Sequence, residues 1–218
     1  MTYKPILFNT PMVCAIEDGT KTQTRRLINV HDDSLQIRDV FMHPDLPCTD
    51  KYVARVYGSK EDEFDLIVKT PCVPGDVLWV RETWKPATTG TAGPGLTDLF
   101  LFKADEPQDT TGMMVAGCWR PAIHMPKEAA RIFLRVQNVQ PKRLQDITIQ
   151  GLQEEGVLPS GFLSQYATMT SGVFERWAAL WNSTIPKGKL AKCGWDANPW
   201  VWVIRFTRME KPEGWPNV

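Results

Sequence analysis

The chain has 218 residues, 43% of them apolar and 23% charged, which suits a packed globular fold and excludes general disorder. Lysine plus arginine equals aspartate plus glutamate at 25 each, so the balance excludes a protein that grips duplex DNA by broad phosphate neutralisation. Any nucleic-acid contact would be local, through a small basic pocket or through stacking on some of the nine tryptophans.

A short strand is expected at residues 5–8, followed by a helix over residues 10–18. Thr10 suits its N-cap, Pro11 its first turn and Gly19 its left-handed stop, while Met12, Val13 and Ile16 make an apolar stripe. Residues 20–27, T-K-T-Q-T-R-R-L, are polar and rich in β-branched side chains. Residues 31–50 read as irregular, and residues 52–57 and 64–69 as a hairpin. Pro74-Gly75-Asp76 signals a turn into a strand over residues 77–84, and residues 85–97 read as a Thr/Gly/Pro-rich loop. A short strand is expected at residues 99–103 and a longer one at 130–139, where Ile132, Leu134 and Val136 alternate with Arg131, Phe133 and Arg135. Helices are expected over 148–155, stopped by Gly156, and over 172–181, capped by Ser171. The second carries Val173, Phe174, Trp177, Leu180 and Trp181 on one face. A strand at 200–207 and a fraying tail at 211–218 end the chain.

The expected fold is mainly β with short helices (α+β), arranged as a small mixed β-barrel in a single domain over residues 1–210. Insertions are expected at about residues 85–128 and 157–198. Five scattered cysteines without a C-x-x-C imply free thiols. With no leader pattern and no membrane-length apolar run, a cytoplasmic setting is expected. His43 with Cys48, or Cys118 with His124, lack metal-site spacing, so no metal is expected, and no other cofactor either. No phosphate-loop motif and no nucleophile-elbow motif occurs.

Residues 19–26, G-T-K-T-Q-T-R-R, resemble the ASCH signature G-x-K-x-x-T-x-R, with Arg26 in the arginine place and Arg25 before it. The P-G-D turn at 74–76 and the helix ending at Gly156 are similar to the same family. Four further blocks resemble phage and prophage ASCH proteins: K-P-I-L-F-N at 4–9, V-R-E-T-W at 80–84, I-H-M-P at 123–126 and N-P-W-V-W at 198–202. The resemblance implies a PUA-like barrel whose cleft takes RNA, a nucleoside or a nucleotide, in the cytoplasm of a bacterial host. One branch of that family hydrolyses N4-acetylcytidine with a threonine, a lysine and a glutamate, which match Thr24, Lys21 and Glu82 here.

That chemistry needs a nucleophile, a base within reach and a donor for the leaving amine. Burial would lower the Lys21 pKa toward a useful range, whereas a close carboxylate would raise it. Thr24 is therefore either a nucleophile or a β-branched packing residue, and Lys21 with Glu82 either a catalytic pair or a plain ion pair. Arg25 and Arg26 are read as anion contacts or as solvated strand charge. Trp84 is read as a stacking wall or as core. Two readings remain open: an amidohydrolase on an acylated nucleoside, and a non-catalytic RNA- or nucleotide-binding module, with a ribonuclease a lesser alternative.

Overall fold

A computed structural model describes residues 2–30, 32, 34–42, 51–58, 63–88, 99–106, 114, 115, 117–158 and 172–216. In chain order the regular elements are β1 (Tyr3–Leu7), α1 (Thr10–Glu17), β2 (Gln23–Leu27), β3 (Gln36–Met42), β4 (Lys51–Tyr57), β5 (Glu63–Lys69), β6 (Val77–Arg81), β7 (Trp84–Thr88), β8 (Leu99–Phe102), β9 (Met114–Val115), β10 (Phe133–Arg143), α2 (Ile149–Glu154), α3 (Val173–Ser183), α4 (Leu190–Cys193) and β11 (Trp200–Met209). This is a mixed α+β architecture, mostly strands with a few short helices. Among the described residues the strands close no barrel. No described helix is long and apolar enough to cross a membrane. Ser171, His43, Cys48 and much of both expected insertions lie outside the described residues.

The chain groups into two compact units, one from residues 1–19, 75–135 and 207–218, the other from residues 20–74 and 136–206. In the first, β1 runs parallel to β6, Tyr3 opposite Val77 through Leu7 opposite Arg81. β6 also pairs antiparallel with the start of β10, Trp79 opposite Phe133. Val77, Leu78, Trp79 and Val80 are all buried, as their unbroken apolar run requires. The P-G-D turn then has a mechanical role. Gly75 supplies a positive φ of 90°. The buried Asp76 carboxylate accepts from Thr2 N (3.0 Å), Thr2 Oγ1 (2.7 Å) and Lys4 Nζ (3.0 Å), pinning the start of β1.

Several expectations fail in this unit. Phe133, set with Arg131 and Arg135 on the face away from Ile132, Leu134 and Val136, is 0% exposed because apolar groups cover both faces there. Trp215, assigned to a fraying tail, is buried against Phe133 at a 4.9 Å ring separation, and its Nε1 donates to Lys127 O at 3.0 Å. Its large apolar area outweighs the polar residues around it. α1 is capped by Asn9, whose side chain accepts from Met12 N at 3.1 Å, one residue before the expected Thr10. Gly19 makes the expected stop with φ at 74°.

In the second unit, β3, β4 and β5 form an antiparallel sheet, with the expected hairpin as β4 and β5, Lys51 opposite Lys69. β3 falls where irregular chain was expected. A further group of strands has β11 between β10 and β2. Arg25 stands opposite Val203 and Thr24 opposite Ile204. The core joins Leu144, Leu152, Trp177, Trp181, Val201 and Val203. α3 delivers Val173, Trp177 and Trp181 to it as buried residues, with Phe174 and Leu180 at the margin. α2 is capped by Thr148, whose hydroxyl accepts from Gly151 N at 3.0 Å, and Gly156 follows with φ at 75°.

Candidate functional site

The signature residues gather around a carboxylate that sequence reasoning passed over. Glu155 directly follows α2, and residues 21 and 155 form an antiparallel bridge beside a Thr22 N to Glu154 O hydrogen bond of 2.8 Å. That places Lys21 Nζ 2.9 Å from each of three acceptors: Gln23 O, Glu155 O and Glu155 Oε2. Arg25 Nη1 takes the other carboxylate oxygen, Oε1, at 2.8 Å. Lys21, Arg25 and Glu155 are 2%, 5% and 2% exposed, so the cluster is dry.

Burial drives the Lys21 ammonium below its ordinary pKa, and the neighbouring Arg26 and Arg25 add to that. The charge of Glu155 and its hydrogen bond oppose it. Burial also lowers the Arg26 guanidinium, again against Glu155. Three acceptors around Nζ match the three protons of the charged form, and the geometry is that of an ammonium. Glu155 had a readable signal. A carboxylate at the C-terminal end of a helix faces the negative pole of the dipole and needs cations to stay there.

Thr24 lies on β2 and is 1% exposed. Its neighbours Gln23 and Arg25 point to the other strand face. There, Gln23 and Arg25 of β2, Val203 and Arg205 of β11, and Asn138, Gln140 and Lys142 of β10 floor a hollow of about 250 Å³. Thr148, Gln150, Gly151 and Glu154 of the α2 region, with Asp146, wall it. Gln23 Nε2 donates to Gly151 O at 3.0 Å, and Arg205 Nη2 holds Glu154 at 2.8 Å. Arg25 Nε is buried with no hydrogen-bond partner among the described residues.

Glu82 and Trp84 belong to the other unit. Glu82 is 1% exposed and is gripped in parallel by Arg131, Nε to Oε1 at 2.9 Å and Nη2 to Oε2 at 3.0 Å. Arg131 Nη1 also reaches Asp105 (2.9 Å) and Glu17 (3.3 Å). Burial raises the Glu82 pKa, while Arg131 pulls it down. Burial alone would lower Arg131, but Glu82, with Glu17 and Asp105, holds it above its ordinary value. Trp84 is 4% exposed, edge-on to Phe100 at 5.5 Å, with the Arg120 guanidinium 5.1 Å over its ring. Its ring is enclosed by core, and its Nε1 finds no hydrogen-bond partner among the described residues.

Comparisons of the chain with protein-family models, with curated proteins and with solved structures find no match. Among the described residues, no three His, Cys, Asp or Glu side chains converge in a way that would hold a metal ion.

Proposed function

We propose that this chain is a nucleoside- or nucleotide-binding module of the PUA-like, ASCH type, taking a single base, free or in RNA, in the hollow beside Arg25. The observation that carries this reading is the set of four carboxamides, Gln23, Asn138, Gln140 and Gln150, lining one small hollow with Thr148. A carboxamide offers a donor and an acceptor side by side, which is the pattern that base edges present. The volume of about 250 Å³ falls below that of drug-sized ligand pockets, about 300–1,000 Å³, and favours one base over a larger ligand. Lys142 supplies positive charge for a phosphate, beside Arg205, whose guanidinium also holds Glu154.

The hydrolytic reading is the lesser one. In it, Thr24 would attack an acyl carbon with Lys21 as base and Glu82 as its orienting or proton-shuttling partner. Burial moves the Lys21 pKa in the direction a base needs. Against it, an ammonium with three acceptors at 2.9 Å has no lone pair to offer the threonine proton.

Calorimetry with cytidine, N4-acetylcytidine, their 5′-monophosphates and a short RNA, alongside an assay for released acetate, separates the two readings. We expect saturable binding to at least one ligand, weakened about tenfold or more by Gln140→Ala combined with Gln150→Ala, both exposed positions. We expect no turnover. Binding indifferent to both glutamines overturns the hollow as the site, and turnover lost in Thr24→Ala establishes the enzyme instead.

A further inference from the structure

A second and larger hollow lies in the unit of residues 20–74 and 136–206, of about 580 Å³, within the range of small-molecule sites. Leu27, Ile28, Ile37, Ile185 and Pro199 give it an apolar lining. The lining also carries three cations, Arg143, Lys189 and Lys192, and no Asp or Glu among the described residues. Asp32 acts on Lys192 from nearby, so one carboxylate tempers that charge.

The Arg143 cation is set in place by its surroundings. Its Nη1 donates to Asn198 O at 3.1 Å and its Nη2 to Arg38 O at 2.9 Å. Its guanidinium carbon lies 4.8 Å from the centre of the Trp200 ring. Among the described residues its side-chain partners are carbonyls and a π-face, which orient the charge without neutralising it. Trp200 Nε1 donates to Arg38 O at 3.2 Å, which fixes the indole as a flat wall. An oriented cation, two lysines and a fixed aromatic wall around apolar space are the complement of one ligand shape.

We infer that this hollow binds a small organic anion with a planar apolar body, its phosphate or carboxylate toward Arg143, Lys189 and Lys192 and its ring against Trp200 and Leu27. Cys193 also lines the hollow, so its thiol reports occupancy at this site and not elsewhere.

The test uses the full chain with naphthyl phosphate, naphthoate, neutral naphthol and inorganic phosphate alone. Affinity is read by calorimetry, and location by mass spectrometry of cysteine labelling with N-ethylmaleimide. The expected result is that one or both naphthyl anions bind about tenfold or more tighter than naphthol and than inorganic phosphate. The tighter of the two names the head group. Bound anion slows labelling of Cys193 and leaves the exposed Cys118 unchanged. Lys189→Glu with Lys192→Glu weakens binding about tenfold or more. Ala191→Trp, at an exposed lining position, abolishes it by volume and stands in if the charge reversals disturb folding. Naphthol binding as tightly as the anions, Cys193 labelled at an unchanged rate in their presence, or affinity untouched by the substitutions would each overturn the inference.

Discussion

Two ion clusters, one in each unit, are built as mirror images in charge. Around Glu155 a single anion is held by two cations, and every member is dry. Around Arg131 a single cation serves three carboxylates, of which only Glu82 is dry, while Arg131, Glu17 and Asp105 are 27%, 26% and 37% exposed. The first cluster has no water to fall back on, so its members depend on one another completely. The second can exchange part of its pairing for solvent and can relieve its excess negative charge by taking up a proton. The difference separates a clamp that joins α2 to β2 from a cluster that titrates.

The comparison breaks most visibly at its driest point. Glu155→Ala leaves Lys21 and Arg25 buried without their carboxylate and is expected to cost on the order of 3–5 kcal/mol in urea unfolding. A cost within about 0.5 kcal/mol, the range of ordinary surface substitutions, would show that the cluster is not a clamp.

Arg131→Ala is expected to cost about 2–3 kcal/mol at neutral pH, less than the fully buried limit because Arg131 is partly exposed. Its pH dependence has a definite sign. Burial places the folded-state pKa of Glu82 above its ordinary 4.5, so between those two values the folded chain holds more protons than the unfolded one, and stability falls as pH rises. Without Arg131 that window widens upward. The variant should therefore approach the parent chain at about pH 4 and diverge from it by about pH 7, as read by denaturant midpoints across the range. A gap that is constant in pH would remove the titrating character assigned to the cluster.

The smallest effect is at the α2 cap. Thr148→Ala frees Gly151 N and is expected to cost about 1 kcal/mol, lowering the melting temperature by about 2–4 °C. Because α2 carries Glu155, a cost several times larger would mean that the cap supports the clamp as well as the helix.

Much of the scaffold was legible because it is written in short-range chemistry. The stops at Gly19 and Gly156, the cap at Thr148, the β4–β5 hairpin and the buried β6 run all follow from local residue type. β3 was missed because it buries only Val40 and so carries almost no alternation. Most of β7 was read as loop because Pro86 argues against a strand. Pro86 is accommodated because it pairs with Phe100 on one side, while β9 joins the other side only from Ala87 onward. At the candidate site, Lys21, Arg25 and Arg26 were singled out for other roles, and the carboxylate that Lys21 and Arg25 hold was not. Glu155 lies 134 residues from Lys21, and no short motif spans that separation. The carboxamides of the hollow were missed for the same reason, since β2, β10 and α2 contribute them from distant parts of the chain.

Gly151 carries one further consequence. A methyl group at that position would sit 3.1 Å from the Ile147 side chain and 3.4 Å from the Gln23 amide nitrogen, which itself bonds to the Gly151 carbonyl. The tighter of these contacts is with Ile147, so an added methyl group would press first on that side chain and would only touch Gln23. Because the Gln23 bond is to the backbone carbonyl, it survives any side chain at 151, and the bare position, at the wall of the hollow, matters chiefly for the room it leaves around Ile147.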